Sequence, residues 1–259
     1  RMGHAQMLDH MFFDGLEDAY EGGLMGSFAQ QTADQYKVTR EAMDDFAIRS
    51  LERANAAIAN GDFSDEIVPV TIAGRKGDTV VDIDEQPGNA RPDKIRTLRP
   101  AFAKEGTVTA ANASSISDGA AALVLMTESE AAKRGLQPLA KIVAHSTHAQ
   151  LPAEFTIAPI GAVKKVLEKA GWGADEVDLY EINEAFAVVT MLAEQELGLD
   201  AAKVNVHGGA CALGHPIGAS GARVLVTLLH ALKNQGKQRG VASLCIGGGE
   251  ATAVAIELV

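Results

Sequence analysis

Between Arg40 and Asn60, apolar side chains recur three or four positions apart at Met43, Phe46, Ala47, Leu51, Ala54 and Ile58. That spacing predicts an amphipathic helix. Thr39 stands where an N-cap belongs, and Gly61 where a left-handed stop belongs. Ahead of it, residues 5–21 and 28–36 have helical composition; after it, Glu66 to Ile72 reads as a short strand. Residues 73–106 mix charge with Gly and Pro and read as an excursion over a surface. Ala120 to Met126 is an unbroken apolar run of the length of a buried strand. The capping box Thr127-Glu-Ser-Glu130 then opens a short helix that ends at Gly135.

The second half is more regular. Strands are predicted over 139–147, 177–182, 203–206, 240–246 and 251–258, and helices over 160–170, 184–197 and 219–234. The order is βαβαβαββ, an α/β domain with helices layered on both faces of a sheet. Strands alternating with helices imply a largely parallel sheet. The final pair, joined through Gly247-Gly-Gly249, must be antiparallel.

Composition narrows the function classes. Of 259 residues, 47% are apolar but only 5% aromatic, with 26 glycines, so the core relies on aliphatic packing and close backbone approach. A net charge of −11 argues against nucleic acid as a partner. No apolar run approaches the roughly 18 residues of a membrane span. Two cysteines, Cys211 and Cys245, are too few for a disulfide framework, and a reduced, cytoplasmic setting is expected. The chain opens Arg1-Met2-Gly3-His4 with neither a signal-peptide pattern nor a preceding strand, as a cut inside a longer protein would.

The densest chemical signal is His207-Gly-Gly-Ala-Cys-Ala-Leu-Gly-His-Pro-Ile-Gly-Ala-Ser-Gly221, between a predicted strand and a helix. Its N–H groups can face an anion or a developing oxyanion; tight packing alone is the competing reading. His215, flanked by Gly214 and Pro216, is placed for acid–base work. Cys245 closes an apolar strand against a glycine turn, either as a reactive thiol or as a small buried hydrophobe. Cys211, between alanines, reads as packing. Asn183 either caps the helix that follows it or points its amide into the crevice at the strand ends. Phe186 packs near a ligand there or joins the core. Thr107 to Gly119 is small and polar, suited to lining a narrow channel or to an ordinary loop.

Taken together, Asn183-Glu-Ala-Phe186, Gly208 to Arg223 and Cys245-Ile-Gly-Gly-Gly249 resemble the thiolases in order and spacing, most nearly the acetyl-CoA acetyltransferase (acetoacetyl-CoA) type. The likeness runs through the whole chain, including Leu98-Arg-Pro-Ala-Phe102. It implies a loop domain over 1–116, a closing segment of the N-terminal domain over 117–137, and the C-terminal domain over 138–259. On this resemblance the chain is a C-terminal part, because the family's nucleophilic cysteine lies upstream of everything present. A smaller departure is Leu24 before Met25, where many short-chain members have His.

The resemblance implies a reversible Claisen condensation of two acetyl-CoA to acetoacetyl-CoA and CoA, or thiolysis of a 3-ketoacyl-CoA. Cys245 would be the acid/base on carbon. His215 would assist the absent cysteine and, with a water held by Asn183, form one oxyanion hole; the Gly247 N–H would contribute to a second. Ala101 and Phe102 would lie by the adenine of coenzyme A, Ala110 and Ser114 along its pantetheine, and Phe186 near the ligand. Arg91, Lys94 and Arg96 are the phosphate candidates. No metal and no covalently bound cofactor is implied, only CoA thioesters as substrates. The expected partners are a second and further copies of the chain, as a homodimer or homotetramer, with the missing part supplied as a separate chain or lost, which leaves the isolated chain inactive. The alternatives are a non-catalytic module that grips CoA or an acyl chain, and a Cys–His hydrolase.

Overall fold

The computed structural model describes residues 2–259. Helix α1 (Met25–Gln35) leads into α2 (Arg40–Asn60), which starts and stops where its end signals stand. Thr39 Oγ1 accepts from the Ala42 N–H at 3.2 Å, and Gly61 is left-handed at φ 76°. Ahead of α1, the helix expected over 5–21 is reduced to a short π-helical segment at Met11–Leu16.

Strand β1 (Val70–Ile72) is shorter than expected and pairs with β2 (Thr79–Val81), which lies within the expected excursion. The short helices α3 (Glu85–Asn89) and α4 (Pro92–Ile95) follow. The run 120–126 is not a buried strand: it carries no regular structure, and Val124 and Leu125 are 85% and 70% exposed. A strand needs a neighbour to take its N–H and C=O groups, and none of the described residues runs beside this one. Thr127 does cap α5 (Glu128–Lys133), accepting from Glu130 N–H.

The C-terminal half is a four-stranded sheet. Its elements are β3 (Ala140–Ala149), α6 (Ala158–Ala170), β4 (Leu179–Ile182), α7 (Ala187–Leu197), the single turn α8 (Ala210–Leu213), α9 (Ser220–Asn234), β5 (Arg239–Ile246) and β6 (Glu250–Leu258). The strand order is β3-β6-β5-β4. The expected largely parallel sheet is therefore corrected: β3, β4 and β5 run in one direction, but only β4 and β5 pair in parallel, because β6 inserts between β3 and β5 and runs antiparallel to both. Gly248 and Gly249 make that reversal at φ +93° and +88°, and a Cβ on Gly249 would lie 2.4 Å from the Gln150 carbonyl oxygen.

Helices cover both faces, as the layered order requires. On one face, Ala162, Val163 and Val166 of α6 pack on Tyr180, Ile182 and the alanines of β6, Ala251, Ala253 and Ala255. Those small side chains let the helix sit close to the sheet. On the other face, Val224, Leu228 and Leu232 of α9 meet Leu179 and Ala242.

The strand expected at 203–206 is reduced to one bridge, Val204 with Tyr180. Asn205 turns left-handed there, at φ 47°, and its side chain continues the ladder. Its N–H donates to Tyr180 O at 2.9 Å, its Oδ1 accepts from Ile182 N–H at 2.8 Å, and its Nδ2 donates to Ile182 O at 2.8 Å. A side-chain amide thus does the work of the next peptide group. Asn205→Ala strips two buried backbone groups of their partners and puts a Cβ-bearing non-Asn residue in the left-handed region. The expected loss is about 3–5 kcal/mol in urea unfolding. Asn205→Asp keeps the acceptor for Ile182 N–H but turns the Nδ2 donor into a carboxylate oxygen facing Ile182 O and the buried Glu184 carboxylate, so it should lose at least as much. An unchanged urea midpoint for Asn205→Ala would contradict the ladder role.

Candidate active site

Because β4 and β5 are parallel, their carboxyl ends lie at one edge of the sheet. Asn183 follows β4 directly, and its N–H extends the pairing to Ser243 O at 3.0 Å. Cys245 lies two residues beyond Ser243 on β5. The Thr107–Gly119 loop crosses this edge and fastens it. Ser114 donates from both N and Oγ to Ala185 O, at 3.0 and 2.9 Å. Asn112 O accepts from Ala187 N–H at 2.8 Å, and Ser115 O accepts from His215 N–H at 3.0 Å. The loop's small side chains are what allow its backbone to reach both segments.

Helix α7 begins at Ala187, three residues later than the expected Glu184, with Phe186 as its N-cap. Asn183 is therefore not a cap. It is 1% exposed, its Nδ2 lies 3.4 Å from His215 Nε2, and its Oδ1 has no partner among the described residues. The structure thus brings together the two side chains singled out from separate motifs.

His215 Nδ1 lies 2.5 Å from Ser220 Oγ, in the first turn of α9, and that hydroxyl lies 3.0 Å from Pro216 O. If the single hydroxyl proton goes to Pro216 O, Nδ1 carries the imidazole proton and Nε2 presents a lone pair toward Asn183; this tautomer is assigned from the network. Burial, and then the Arg223 charge, lower the His215 pKa to about 4. The ring is neutral in the resting protein, a base at Nε2 that becomes a donor once it takes a proton. Ser220 escaped the sequence reading: a Ser five residues after a His carries no signal until the loop closes on itself.

Cys245 sits in an apolar cluster with Phe28, Phe155, Ala185 and Val189. Burial pushes its thiol up to about 12, so the proton stays on sulfur at neutral pH. Gly247 follows in the turn, where a Cβ would meet Met25 Sδ at 3.3 Å. Cys211 packs in the cluster of Ala29, Met43 and Val108, with its Sγ 3.8 Å from Glu184 O. Burial, and next the Glu184 charge, raise its pKa well above the ordinary thiol value.

Phe186 joins Phe102 and Phe155 edge-to-face, each pair of ring centroids 6.4 Å apart. Ala101 donates from its N–H to Val108 O at 2.9 Å, which fixes the start of the loop. Arg91 and Lys94 share a cavity of about 430 Å³ with Leu98, Ala110 and Cys211. Arg96 is not with them; it is engaged by Asp45. Among the described residues, no three His, Cys, Asp or Glu side chains gather as metal ligands would, and no helix is long and apolar enough to cross a membrane.

The thiolase N-terminal domain model matches residues 1–129, and the thiolase C-terminal domain model matches residues 136–258. The chain belongs to the thiolase family. It carries residues of both family domains, which corrects the expectation of a C-terminal part alone. It is 52% identical to the acetyl-CoA acetyltransferase of Rhizobium meliloti (strain 1021) and 50% identical to that of Shinella zoogloeoides, over 258 residues, which make up 99% of this chain. Among solved structures, the Bacillus anthracis acetyl-CoA acetyltransferase superposes with a TM-score of 0.95 at 46% identity. The Acat5 thiolase of Ascaris suum in complex with coenzyme A superposes at 0.89 and 40%, and both cover 100% of this chain. The chain spans 66% of the length of each of these relatives. The thiolase fold expected from the motifs is therefore the fold found.

Cys245 is buried and Cys211 partly so, and both keep their protons, which predicts low reactivity. Iodoacetamide at pH 8 should label Cys211 and Cys245 more than about tenfold slower in the folded chain than in urea, because the thiolate is the reacting form. Rapid labelling of Cys245 in the folded chain at that pH would mean that its thiolate is stabilised.

Proposed function

We propose that these residues form the acid/base and oxyanion part of a thiolase site, which catalyses the reversible condensation of two acetyl-CoA to acetoacetyl-CoA and CoA. The observation that carries the reading is the Asn183–His215 contact at 3.4 Å, at the sheet edge where Cys245 ends its strand. Packing alone calls for no buried amide with a free acceptor facing a neutral imidazole.

In thiolysis, Cys245 as a thiol donates its proton to the carbanion leaving the 3-ketoacyl group; in condensation its thiolate takes a proton from the methyl carbon of acetyl-CoA. A thioester carbonyl is less resonance-stabilised than an oxygen ester, so enolate formation and attack on it are both easier. The enolate oxygen is held by His215 Nε2 and by a water on Asn183, and the tetrahedral oxyanion by the Gly247 N–H with that of the acyl-accepting cysteine. His215, neutral at rest, takes that cysteine's proton at Nε2 as the cysteine attacks the thioester and CoA leaves as its thiolate; the N–H so formed then faces the enolate oxygen. Cys211 is packed with its proton held by burial, and Cys245 is committed to the proton on carbon, so on this reading neither takes the acyl-accepting role. The reading therefore places that residue outside these 259, with residues 1–116 as the loop domain, 117–137 as the closing segment and 138–259 as the C-terminal domain.

Coenzyme A on this reading follows Ala110 and Ser114, with Ala101 and Phe102 by the adenine and Phe186 beside the reacting end. Arg91 and Lys94 are better placed than Arg96 for its phosphates, since Asp45 already occupies Arg96. The same reading includes assembly as a homodimer or homotetramer.

Three measurements test it. The chain alone, mixed with acetyl-CoA, should form no acetyl-enzyme by intact mass; a stoichiometric adduct on Cys211 or Cys245 would reassign the nucleophile. Once the chain is joined to the remainder of a relative's sequence, Asn183→Ala should lower kcat by roughly 10²–10³ with little change in KM, as for a contact made only in the transition state. Normal turnover in that folded variant would reduce Asn183 to packing. Cys245→Ser should lose acetoacetyl-CoA formation far more than acetyl exchange between acetyl-CoA and CoA. Binding of CoA with neither activity would favour a non-catalytic module.

A further inference from the structure

Glu184 is 1% exposed, and no cation among the described residues bonds to it. The nearby Arg53 spends its guanidinium on the carbonyls of Ala201, Val204 and Asn205. A buried carboxylate is tolerated only where donors surround it, and here they come from distant parts of the chain. Oε2 accepts from Ser50 Oγ of α2 at 2.7 Å and from Cys211 N–H of α8 at 3.1 Å; Oε1 accepts from Asn205 Nδ2 at 2.9 Å. Ser50 Oγ in turn accepts from Gly209 N–H at 2.9 Å.

The loop is pressed onto this carboxylate. A Cβ on Gly209 would lie 2.3 Å from Glu184 Cδ, and one on Gly208 would lie 2.5 Å from Ser50 O. Two site residues are tied to the same group by short covalent paths. Asn183 is joined to Glu184 by one peptide bond. Cys211 belongs to the turn Ala210–Leu213, which hands the chain through Gly214 to His215.

We propose that Glu184 is a positioning residue: its carboxylate, shared by Ser50, Asn205 and the Cys211 N–H, sets the separation of Asn183 and His215. It acts through the loop and touches no reacting atom, and its catalytic consequence rests on the thiolase reading above. Charge matters as well as shape. All three donors are held, Asn205 by Ile182, Ser50 by Gly209 and Cys211 by its helical turn, so the site requires an acceptor at both oxygens. Glu184→Gln leaves an NH₂ facing one of these donors, most directly Asn205 Nδ2, and forces the loop and the Asn183 segment apart.

The deciding measurement is the His215 imidazole by ¹³C and ¹⁵N NMR on the chain itself, assigned by loss of its signals in His215→Asn. In the native chain the ring should stay neutral from pH 7 down to 5 and hold a single tautomer. In folded Glu184→Gln the loosened ring should meet solvent, titrate nearer the ordinary His value and mix tautomers. Ser50→Ala, which removes one donor and frees Gly209, should shift the ring in the same direction by less. A folded Glu184→Gln with a lowered melting temperature but native His215 signals would make Glu184 merely structural. If Glu184→Gln does not fold, native signals in Ser50→Ala overturn the proposal. In the complemented enzyme, Glu184→Gln should lower kcat up to roughly 100-fold with KM little changed, the cost of slight misplacement. Absence of thiolysis in the unmutated enzyme would sink the functional reading while leaving the NMR result to judge the positioning role.

Discussion

Strands β4 and β5 pair over Leu179–Ile182 and Gly240–Ser243, and side chains then take over from the ladder. Asn183 N–H adds one more bond to β5, and the Asn205 side chain clasps Ile182 from the opposite side. Since parallel strands end at the same edge, this pairing delivers Asn183 and Cys245 to one place. Antiparallel pairing of the same strands would have sent them to opposite ends of the sheet. The loop carrying His215 can dock only because that edge is already formed, with Ser115 and Glu184 receiving it.

Burial sets the protonation states around this edge. Removing a group from water disfavours its charged form, which is why His215 is neutral while Cys245 and Cys211 keep their protons. Neutral groups leave the site ready for proton transfer in either direction without a standing charge to solvate. Glu184 solves the same problem differently, by gathering hydrogen-bond donors. At Cys211 burial comes first and the Glu184 charge second in keeping the proton on sulfur. The small polar loop ahead of the apolar run contributes the carbonyls of Asn112 and Ser115 and the Ser114 donors at fixed places.

Periodicity and end signals located α2, α6 and α9 almost to the residue, because Thr39, Gly61 and Gly171 act on backbone groups a turn away. Signals that depend on a distant partner misled. The apolar run 120–126 looks like a buried strand and lies exposed, since hydrophobicity does not supply a neighbour. Residues 203–206 look like a strand, but the left-handed Asn205 turns the chain away after a single bridge. A largely parallel sheet followed from alternation of strands and helices, whereas β6 returns through the glycine turn into the middle of the sheet.

The chemistry divides in the same way. From the sequence alone came the residues that matter as chemical types, His215, Asn183 and Cys245, each in a glycine-rich or strand-end setting legible over a few positions. It also determined the family, because the three motifs stand in a fixed order along one chain. Only the tertiary structure decided that Phe186, not Asn183, caps α7, that Asn183 meets His215, that Ser220 holds Nδ1, and that Arg96 is taken by Asp45 while Arg91 and Lys94 share a cavity. The same holds for Glu184, which reads as the first residue of a helix and is instead the acceptor at which α2, Asn205 and the His215 loop meet. Local backbone preference is written in neighbouring residues. A hydrogen bond between positions 50 and 184, or a proton held by burial, depends on groups that only folding brings within reach.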